Sequence, residues 1–314
     1  MKRAVTLLCL LGWYTVISDS SPRAAQIFSA WSAPRNVVEL NTTYNDSYPF
    51  LSRDGLTIYF TSNRVEGGQG GDDLWFATRE SVDDPWGTPH NMGALINTAS
   101  NDSLPFLAPN EHVMYFHSDR IPGSCGEGDI WMTRRRNKHS DWQQPTNLGC
   151  VLNTVKTEIA PAYFEDPETE QAWLFYGSNR PVGPSTCDRG FGDYDVYASP
   201  LGEDGSVGPG TLVCEFSSPG RDTRIFIRKD GLEAFITSNR VGGQGTIDIW
   251  VSTRDTLSDR WSVPTNLGYP VNSSGEDGSP WLSKDGTTLY FFSTRTGGIG
   301  GRDIWYTTRE KLRD

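Results

Sequence analysis

Short runs of apolar and β-branched residues recur along this chain, and polar or glycine-rich stretches separate them. Residues 281–309 read WLSKDGTTLYFFSTRTGGIGGRDIWYTTR, in which WLS, TTLYFF and DIWY are three such runs. The Asp285-Gly286 pair is typical of a tight hairpin turn, and the glycines within 297–301 suit an irregular loop. β-Branched and aromatic residues favour pleated, largely buried strands. The pattern therefore predicts strand, turn, strand, glycine loop and strand.

This unit recurs along the chain, and its copies begin at Pro49, Pro105, Pro161, Ile225 and Trp281. A segment of the form W-x-x-P-x-N-L-G, such as residues 142–149, accompanies most copies and supplies a fourth strand. The third strand of each copy carries an aromatic marker: Trp75, Trp131, Tyr197, Trp250 and Trp305. Four short strands per period of roughly 40–50 residues or somewhat more are the signature of propeller blades.

The two ends of the chain complement each other in this prediction. The last copy stops after its third strand at Glu310, whereas Trp31 to Asn36 form a fourth-strand segment with no blade before it. Residues near 28–41 are therefore expected to pair with the last blade, which closes the ring and removes unpaired sheet edges. The predicted fold is all-β: a single five-bladed β-propeller of four-stranded blades over residues 28–314.

The repeated string resembles a known family. In the first copy it comprises Ser52-Arg53-Asp54-Gly55, Tyr59-Phe60, Ser62-Asn63-Arg64 and Asp73-Leu74-Trp75. This string is similar to the WD40-like (PD40) repeat of the TolB-type bacterial propellers, over nearly the whole mature chain. The resemblance implies a propeller fold. It does not specify an activity, because such repeats host binding, assembly and enzymatic roles.

Composition and the N-terminus suggest where the protein works. Lys2-Arg3 precedes the apolar run Ala4 to Ile17, which predicts a signal peptide over residues 1–20, cleaved between about 18 and 25. We therefore expect a secreted or periplasmic monomer without a membrane span after signal removal. The formal net charge of −11 argues against nucleic-acid or anionic-membrane partners.

Four cysteines remain after signal removal, an even number in an exported protein. Cys125 and Cys187 occupy equivalent glycine loops, and Cys150 and Cys214 occupy equivalent entries to the next blade. These two kinds of loop lie on one face of a propeller. We therefore predict the disulfides Cys125–Cys150 and Cys187–Cys214 among the three connectivities that four cysteines allow. Metal ligation is the alternative, although the chain has no CxxC spacing or histidine cluster near them.

A carboxylate precedes each inner strand, and the five are expected to form a ring near the channel mouth: Asp46, Asp102, Glu158, Asp222 and Asp277. Five-bladed glycosidases present Asp, Asp and Glu from their first three blades. By that resemblance Asp46 is the candidate base or nucleophile, Asp102 a stabilising group and Glu158 the acid. Glycosidases need such paired carboxylates around the scissile bond.

The same ring is also a candidate binding site. Oxygen ligands from several blades are the kind that Ca²⁺ takes, so the channel is a candidate calcium site. Blade four departs from the pattern, because Arg221 and Arg224 flank Asp222 and we place Arg224 at the proline position of the other copies. With Asp222 and Asp277, these arginines are candidates for clamping an anionic ligand. Trp281 is a candidate stacking surface for a sugar.

A structural interpretation of the ring remains open, since a carboxylate in every copy also suits a turn cap or a bond to the backbone. A second repeated set suggests structural ion pairs: Arg64/Asp73, Arg120/Asp129, Arg180/Asp195, Arg240/Asp248 and Arg295/Asp303. The favoured function is an exported module that binds a glycan, peptide or partner protein on one propeller face. The alternative is a glycoside hydrolase that uses the ring of carboxylates.

Overall fold

The computed structural model describes residues 28–181 and 192–312. Within them, strands group by blade in chain order. Blade one holds β2 (Asp46–Leu51), β3 (Thr57–Ser62), β4 (Asp73–Thr78) and β5 (His90–Asn91). Blade two holds β6 (Asp102–Leu107), β7 (Val113–Ser118), β8 (Asp129–Arg134) and β9 (Thr146–Asn147). Blade three holds β10 (Glu158–Glu165), β11 (Ala172–Ser178), β12 (Asp195–Leu201) and β13 (Thr211–Leu212).

Blade four holds β14 (Asp222–Ile227), β15 (Glu233–Ser238), β16 (Asp248–Thr253) and β17 (Thr265–Asn266). Blade five combines β18 (Asp277–Leu282), β19 (Thr288–Ser293) and β20 (Asp303–Thr308) with β1 (Arg35–Asn36) from the start of the described chain. All pairings within the blades are antiparallel. The predicted five-bladed propeller of four-stranded blades is therefore confirmed.

The ring closes as expected, because β1 is the outer strand of the last sheet, in the order β1-β20-β19-β18. Asn36 lies opposite Trp305, and Phe28 forms a further bridge to Lys311. The early segment thus takes the position that the fourth strand occupies in the other blades, and the last blade has four strands like the rest.

Each inner strand begins on the upper face of the propeller, which we define as the face that holds the loops between second and third strands. Hairpin turns on the lower face join the inner and second strands. In blade one that turn places Gly55 at φ 72°, a left-handed conformation that glycine adopts without strain. The hairpin turn predicted from the Asp-Gly pair is therefore present, and it lies on the lower face.

The inner strands share a bulge that shifts their register, for example between Ser47 and Phe50 in blade one. Aromatic residues beyond the bulge meet around the channel axis: the Phe50 ring lies 4.4 Å from that of Phe106 and 6.4 Å from that of Trp281. The Phe226 and Trp281 rings lie 6.5 Å apart. These four residues, which we call the aromatic plug, fill the lower part of the channel.

The disulfide Cys125–Cys150 is present, with the two Cα atoms 5.5 Å apart, and confirms that the two kinds of loop share the upper face. Cys187 lies outside the described residues, so its pairing with Cys214 stays a prediction, as does the signal peptide over residues 1–20. Within residues 28–181 and 192–312, no helix has the length and apolar character needed to cross a membrane.

Candidate functional site

The five inner-strand carboxylates are all fully buried, and each forms an ion pair with an arginine that follows the second strand of its own blade. The nitrogen–oxygen distances are 2.5 Å for Arg120–Asp102, 3.1 Å for Arg180–Glu158, 2.6 Å for Arg240–Asp222 and 2.7 Å for Arg295–Asp277. Arg64 pairs with Asp46 in the same way. We call these five pairs the carboxylate–arginine ring.

Asp102 shows how completely such a carboxylate is engaged. One oxygen accepts bonds from Thr98 N at 2.6 Å and Thr98 Oγ1 at 2.8 Å. The other accepts from Ser118 Oγ and Arg120 Nη2, both at 2.5 Å. Asp46 and Glu158 have corresponding partners in Thr42 and Thr154. Buried charges with full sets of partners hold a local structure together, and these oxygens have no exposed surface to offer a substrate.

The predicted pairing of each arginine with the first residue of the third strand is wrong. Arg64 turns toward the inner strand, where Ser62 Oγ and Leu40 O accept its other donors at 2.8 Å each. Asp73 instead accepts from Gln69 N at 2.5 Å and Asn91 Nδ2 at 3.0 Å. Since the second strand has neighbours on both sides, the repeated spacing alone does not choose between the two carboxylates.

The upper end of the channel differs from blade to blade. We define the channel mouth by the residues that immediately precede the third strands and the inner strands. Those before the third strands are Asp72, Gly128, Tyr194, Ile247 and Arg302. Those before the inner strands are Asn45, Asn101, Thr157, Arg221 and Glu276. The two sets adjoin, because the backbone N–H of each acidic residue that begins an inner strand donates to the backbone carbonyl of a residue in the first set, as Asp102 N does to Asp72 O at 2.6 Å.

One side of the mouth combines guanidinium groups with tyrosine rings. Arg302 donates from Nε to Glu276 at 2.8 Å and from Nη1 to the hydroxyl of Tyr48 at 2.8 Å. The Arg302 and Glu276 side chains keep 30% and 29% of their surface exposed. Arg221 lies with its Cζ atom 4.5 Å from the centre of the Tyr194 ring. The aromatic and charged groups on this side therefore face solvent together.

Blades one and two contribute two further carboxylates whose pKa values shift in different directions. His117 Nε2 lies 2.9 Å from Asp119 Oδ1, and Asn101 Nδ2 donates to the other oxygen at 2.7 Å. The hydrogen bond from His117 lowers the pKa of Asp119. Burial raises the pKa of Asp72, although the positive charge of Arg302 opposes the rise. The Asn101 side chain also accepts from Asp72 N at 3.1 Å, so it connects both carboxylate segments.

Arg224 lies below the mouth, and its position corrects the expectation from the sequence. Phe226 lies opposite Phe235 as Phe50 lies opposite Tyr59 in blade one, so the preceding residue, Ile225, takes the proline position. Arg224 is instead the third residue of its inner strand, and the equivalent residues of the other blades are Tyr48, Leu104, Ala160 and Ser279. The aromatic plug begins beneath it, with the Phe106 ring centre 6.0 Å from Arg224 Cζ.

The structure separates the other predicted ligand-binding residues. Asp222 and Asp277 belong to the carboxylate–arginine ring, whereas Arg221 is exposed at the mouth. Trp281 belongs to the aromatic plug and is only 8% exposed. It borders a cavity of about 1090 Å³ at the seam of blades one and five, which Arg53 and Lys284 of the hairpin turns also line. This cavity therefore opens on the lower face, away from Arg221.

No group of three or more histidine, cysteine, aspartate and glutamate side chains is placed to hold a metal ion within the described part of the chain. The oxygen atoms proposed for calcium are those that the arginines and threonines already engage. The residues of the carboxylate–arginine ring therefore do not fit a calcium site.

Reasoning from the sequence missed Asp72 and Arg302 of the channel mouth and the adjacent residues Asp119 and Tyr48. A comparison of equivalent positions in the five copies could have pointed to the residues before the third strands, because it shows which positions of the repeat vary. The residue before the third strand differs in every copy, although the next residue is always aspartate. Residues that recur in every copy more often serve the repeated fold, so recurrence alone does not identify such positions.

No protein-family model matches this sequence, and no curated protein matches it either. Among solved structures, the catalytic domain of a GH62 α-L-arabinofuranosidase from Coprinopsis cinerea has a TM-score of 0.55 at 9% identity, covering 89% of this chain and 96% of that one. A thermostable family-43 glycoside hydrolase has a TM-score of 0.54 at 12% identity, covering 86% and 91%.

A putative TolB from Agrobacterium tumefaciens also matches, with a TM-score of 0.46 at 13% identity, covering 92% of this chain and all of that one (100%). That score is too low to support an inference, so the predicted relationship to TolB-type propellers stays a resemblance of sequence motifs. At these identities the similarity to the hydrolases concerns the fold, and it agrees with the five blades described above.

Proposed function

We propose that this protein binds a carbohydrate at its channel mouth. The observation that carries the proposal is the contrast within the repeat: five different residues precede the third strands, whereas the aspartate that follows is the same in every blade. Departures from a local rule at one place in a regular fold are where function is expected, and loops held on a rigid scaffold commonly carry it.

The side chains at the mouth suit a sugar. Tyr48 and Tyr194 provide aromatic rings, which pack on the apolar faces of pyranose and furanose rings. Arg302, Arg221 and Glu276 provide planar groups that exchange hydrogen bonds with hydroxyls. A few polar groups beside aromatic surface are the usual composition of a small-molecule site.

Titration calorimetry with three oligosaccharides tests the proposal. The solved structures of similar fold include complexes with xylotriose, cellotriose and arabinobiose, and these sugars form the first panel. We expect one of them to bind the protein, and Tyr194→Ala or Arg302→Gln to weaken binding at least tenfold. Lys284→Gln, on the lower face, is the matched control and should bind like the parent. Equal binding by all three variants, or none by the parent in a wider glycan array, overturns the proposal.

A second candidate is hydrolysis of a glycoside at the same mouth. It is favoured by Asp72 and Asp119, whose pKa values move in opposite directions. Glycosidases use two carboxyl groups whose pKa values are moved apart, and the group with the higher pKa protonates the leaving oxygen. The similar solved structures named as arabinofuranosidases and a xylosidase also make pentose-containing glycans the substrates to try first. Unlike Asp46, Asp102 and Glu158, these carboxylates are not sealed within ion pairs to arginine.

Product analysis by mass spectrometry after incubation with arabinoxylan fragments separates binding from hydrolysis. Cleavage by the parent protein that both Asp72→Asn and Asp119→Asn abolish assigns the reaction to this pair. Binding without cleavage keeps the protein a binding module. Cleavage that survives both substitutions removes these residues from the reaction.

A further inference from the structure

Arg224 is a buried cation in the middle of the channel. It is 2% exposed, and its Nη2 donates to the carbonyl of Pro105 at 3.0 Å. Pro105 belongs to blade two and Arg224 to blade four, so this bond crosses the channel between blades that are not neighbours. Arg224 therefore reaches to the channel axis from one wall.

Two of the other nitrogen donors of Arg224 have no acceptor within the described structure. Its Nε and Nη1 atoms are buried without a hydrogen-bond partner, and no carboxylate of residues 28–181 or 192–312 lies within ion-pair distance. Burial lowers the pKa of Arg224 to about 10, which still leaves the side chain charged at neutral pH. A buried charge without a counterion is strongly unfavourable, so a protein that keeps one has a use for it.

Other arginines show that this lack of partners is exceptional. Arg240 of the same blade has Asp222, Ser238 Oγ and the carbonyl of Phe216 as acceptors. At the mouth, Glu276 neutralises Arg302. Arg224 is also the one charged residue at this position of the inner strands, because the equivalent residues of the other four blades are uncharged.

Arg224 lies between the aromatic plug and the channel mouth. The aromatic plug closes the channel below it, where Phe106 contacts the guanidinium. Tyr48 occupies the equivalent position of blade one, is partly exposed, and accepts a hydrogen bond from Arg302 at the mouth. Tyr48 therefore connects the residues of the mouth to a cation that lacks an acceptor.

We propose that Arg224 binds the carboxylate of an acidic sugar, so that the carbohydrate site at the channel mouth is selective for glycans that contain a uronic acid. A carboxylate supplies two acceptors to a planar guanidinium and neutralises its charge, and such charge-assisted bonds are among the strongest in proteins. This inference rests on the proposed carbohydrate-binding function and names the class of sugar.

Calorimetric titrations with glucuronate and with glucose test the inference, since the two sugars differ only in the carboxylate. We expect the parent protein to bind glucuronate at least tenfold more tightly than glucose. Arg224→Leu should abolish that preference without weakening glucose binding. Arg224→Lys, which keeps the charge without the planar fork, should retain part of it. Ser279→Ala, at the equivalent position of blade five, should leave both affinities unchanged.

The outcomes separate this inference from the proposed function. A parent protein that binds xylotriose or glucose but shows no preference for glucuronate overturns the inference and leaves carbohydrate binding intact. A preference that survives in folded Arg224→Leu also overturns it. Thermal melting in sodium acetate, compared with melting in sodium chloride, tests whether Arg224 binds a free small carboxylate instead of a sugar. If acetate stabilises the parent but not Arg224→Leu, while no sugar binds, the site takes small anions and both sugar proposals fail.

Discussion

The carboxylate–arginine ring and the channel mouth lie within a few residues of each other, yet they follow opposite rules. In the ring, the same ion pair recurs in all five blades and is buried in each. At the mouth, side chains differ from blade to blade and several remain partly exposed. Repetition marks what every blade needs in order to fold, and variation marks where a symmetric scaffold becomes a specific surface.

The largest effect is expected from breaking one pair of the ring. Asp102→Asn keeps the shape of the side chain but leaves Arg120, whose side chain is 9% exposed, without a counterion. Removal of one partner from a buried ion pair costs about 3–5 kcal/mol, so the free energy of unfolding should fall by that amount. Urea denaturation of the parent and the variant measures the difference.

Asp72→Asn is the matched control, because it makes the same chemical change one blade earlier at the mouth. It should alter the free energy of unfolding by less than about 1 kcal/mol. If the two substitutions have similar effects, the distinction between ring and mouth is wrong.

Blade three sharpens the comparison, because there the repeated structure is incomplete. In the other blades an asparagine of the fourth strand donates to the aspartate that begins the third, as Asn266 does to Asp248 at 3.0 Å. In blade three, Leu212 lies opposite Tyr197 where asparagine would be. Within the described residues Asp195 Oδ1 has no hydrogen-bond partner, as is also true of Oδ1 of Asp73 and Asp129, but here the asparagine donor is missing as well. Burial raises the pKa of Asp195 to about 6.

The second prediction follows from this raised pKa. An unfolded aspartate titrates near 3.9, so the folded protein carries a penalty for the ionised form that is complete above about pH 6 and disappears below about pH 4. Asp195→Asn removes the charge and should stabilise the protein by about 2–3 kcal/mol at pH 8, with no gain at pH 4. Denaturant unfolding across this pH range measures the change.

Asp248→Asn provides the contrast, because Asn266 donates to the Asp248 carboxylate and Leu212 cannot do the same for Asp195. The Asp248 oxygens accept from Gln244 N at 2.5 Å and from Asn266, so the substitution should destabilise the protein at every pH above about 4. A loss of stability in Asp195→Asn at pH 8 would contradict the assignment of Asp195 as an incomplete copy.

Most of the fold was predictable, because propeller blades are local and repeat. The Asp-Gly turns, the β-branched runs and the marker such as Trp305 each specify a strand or turn, and five agreeing copies remove the ambiguity of any one. The Cys125–Cys150 disulfide was predictable for a related reason, since equivalent loops of a repeat share a face.

The site was less predictable, because contacts across blades do not follow from spacing along the chain. Arg64 has a carboxylate on either side of its strand, and only packing shows that it selects Asp46. Likewise, a one-residue difference in alignment at the bulge decides whether Arg224 or Ile225 takes the proline position. The mouth residue Arg302 meets Tyr48 only after ring closure, since the two are 254 residues apart in sequence.

The smallest effect on stability is expected at the mouth itself. Arg302 and Glu276 form an ion pair that is about 30% exposed on each side, and exposed pairs contribute roughly 0–1 kcal/mol. Arg302→Gln should therefore lower the free energy of unfolding by no more than about 1 kcal/mol while it weakens sugar binding at least tenfold. Urea denaturation and calorimetry on one protein preparation measure both quantities. A large loss of stability would place Arg302 with the folding determinants, because a residue kept for a ligand need not support the scaffold.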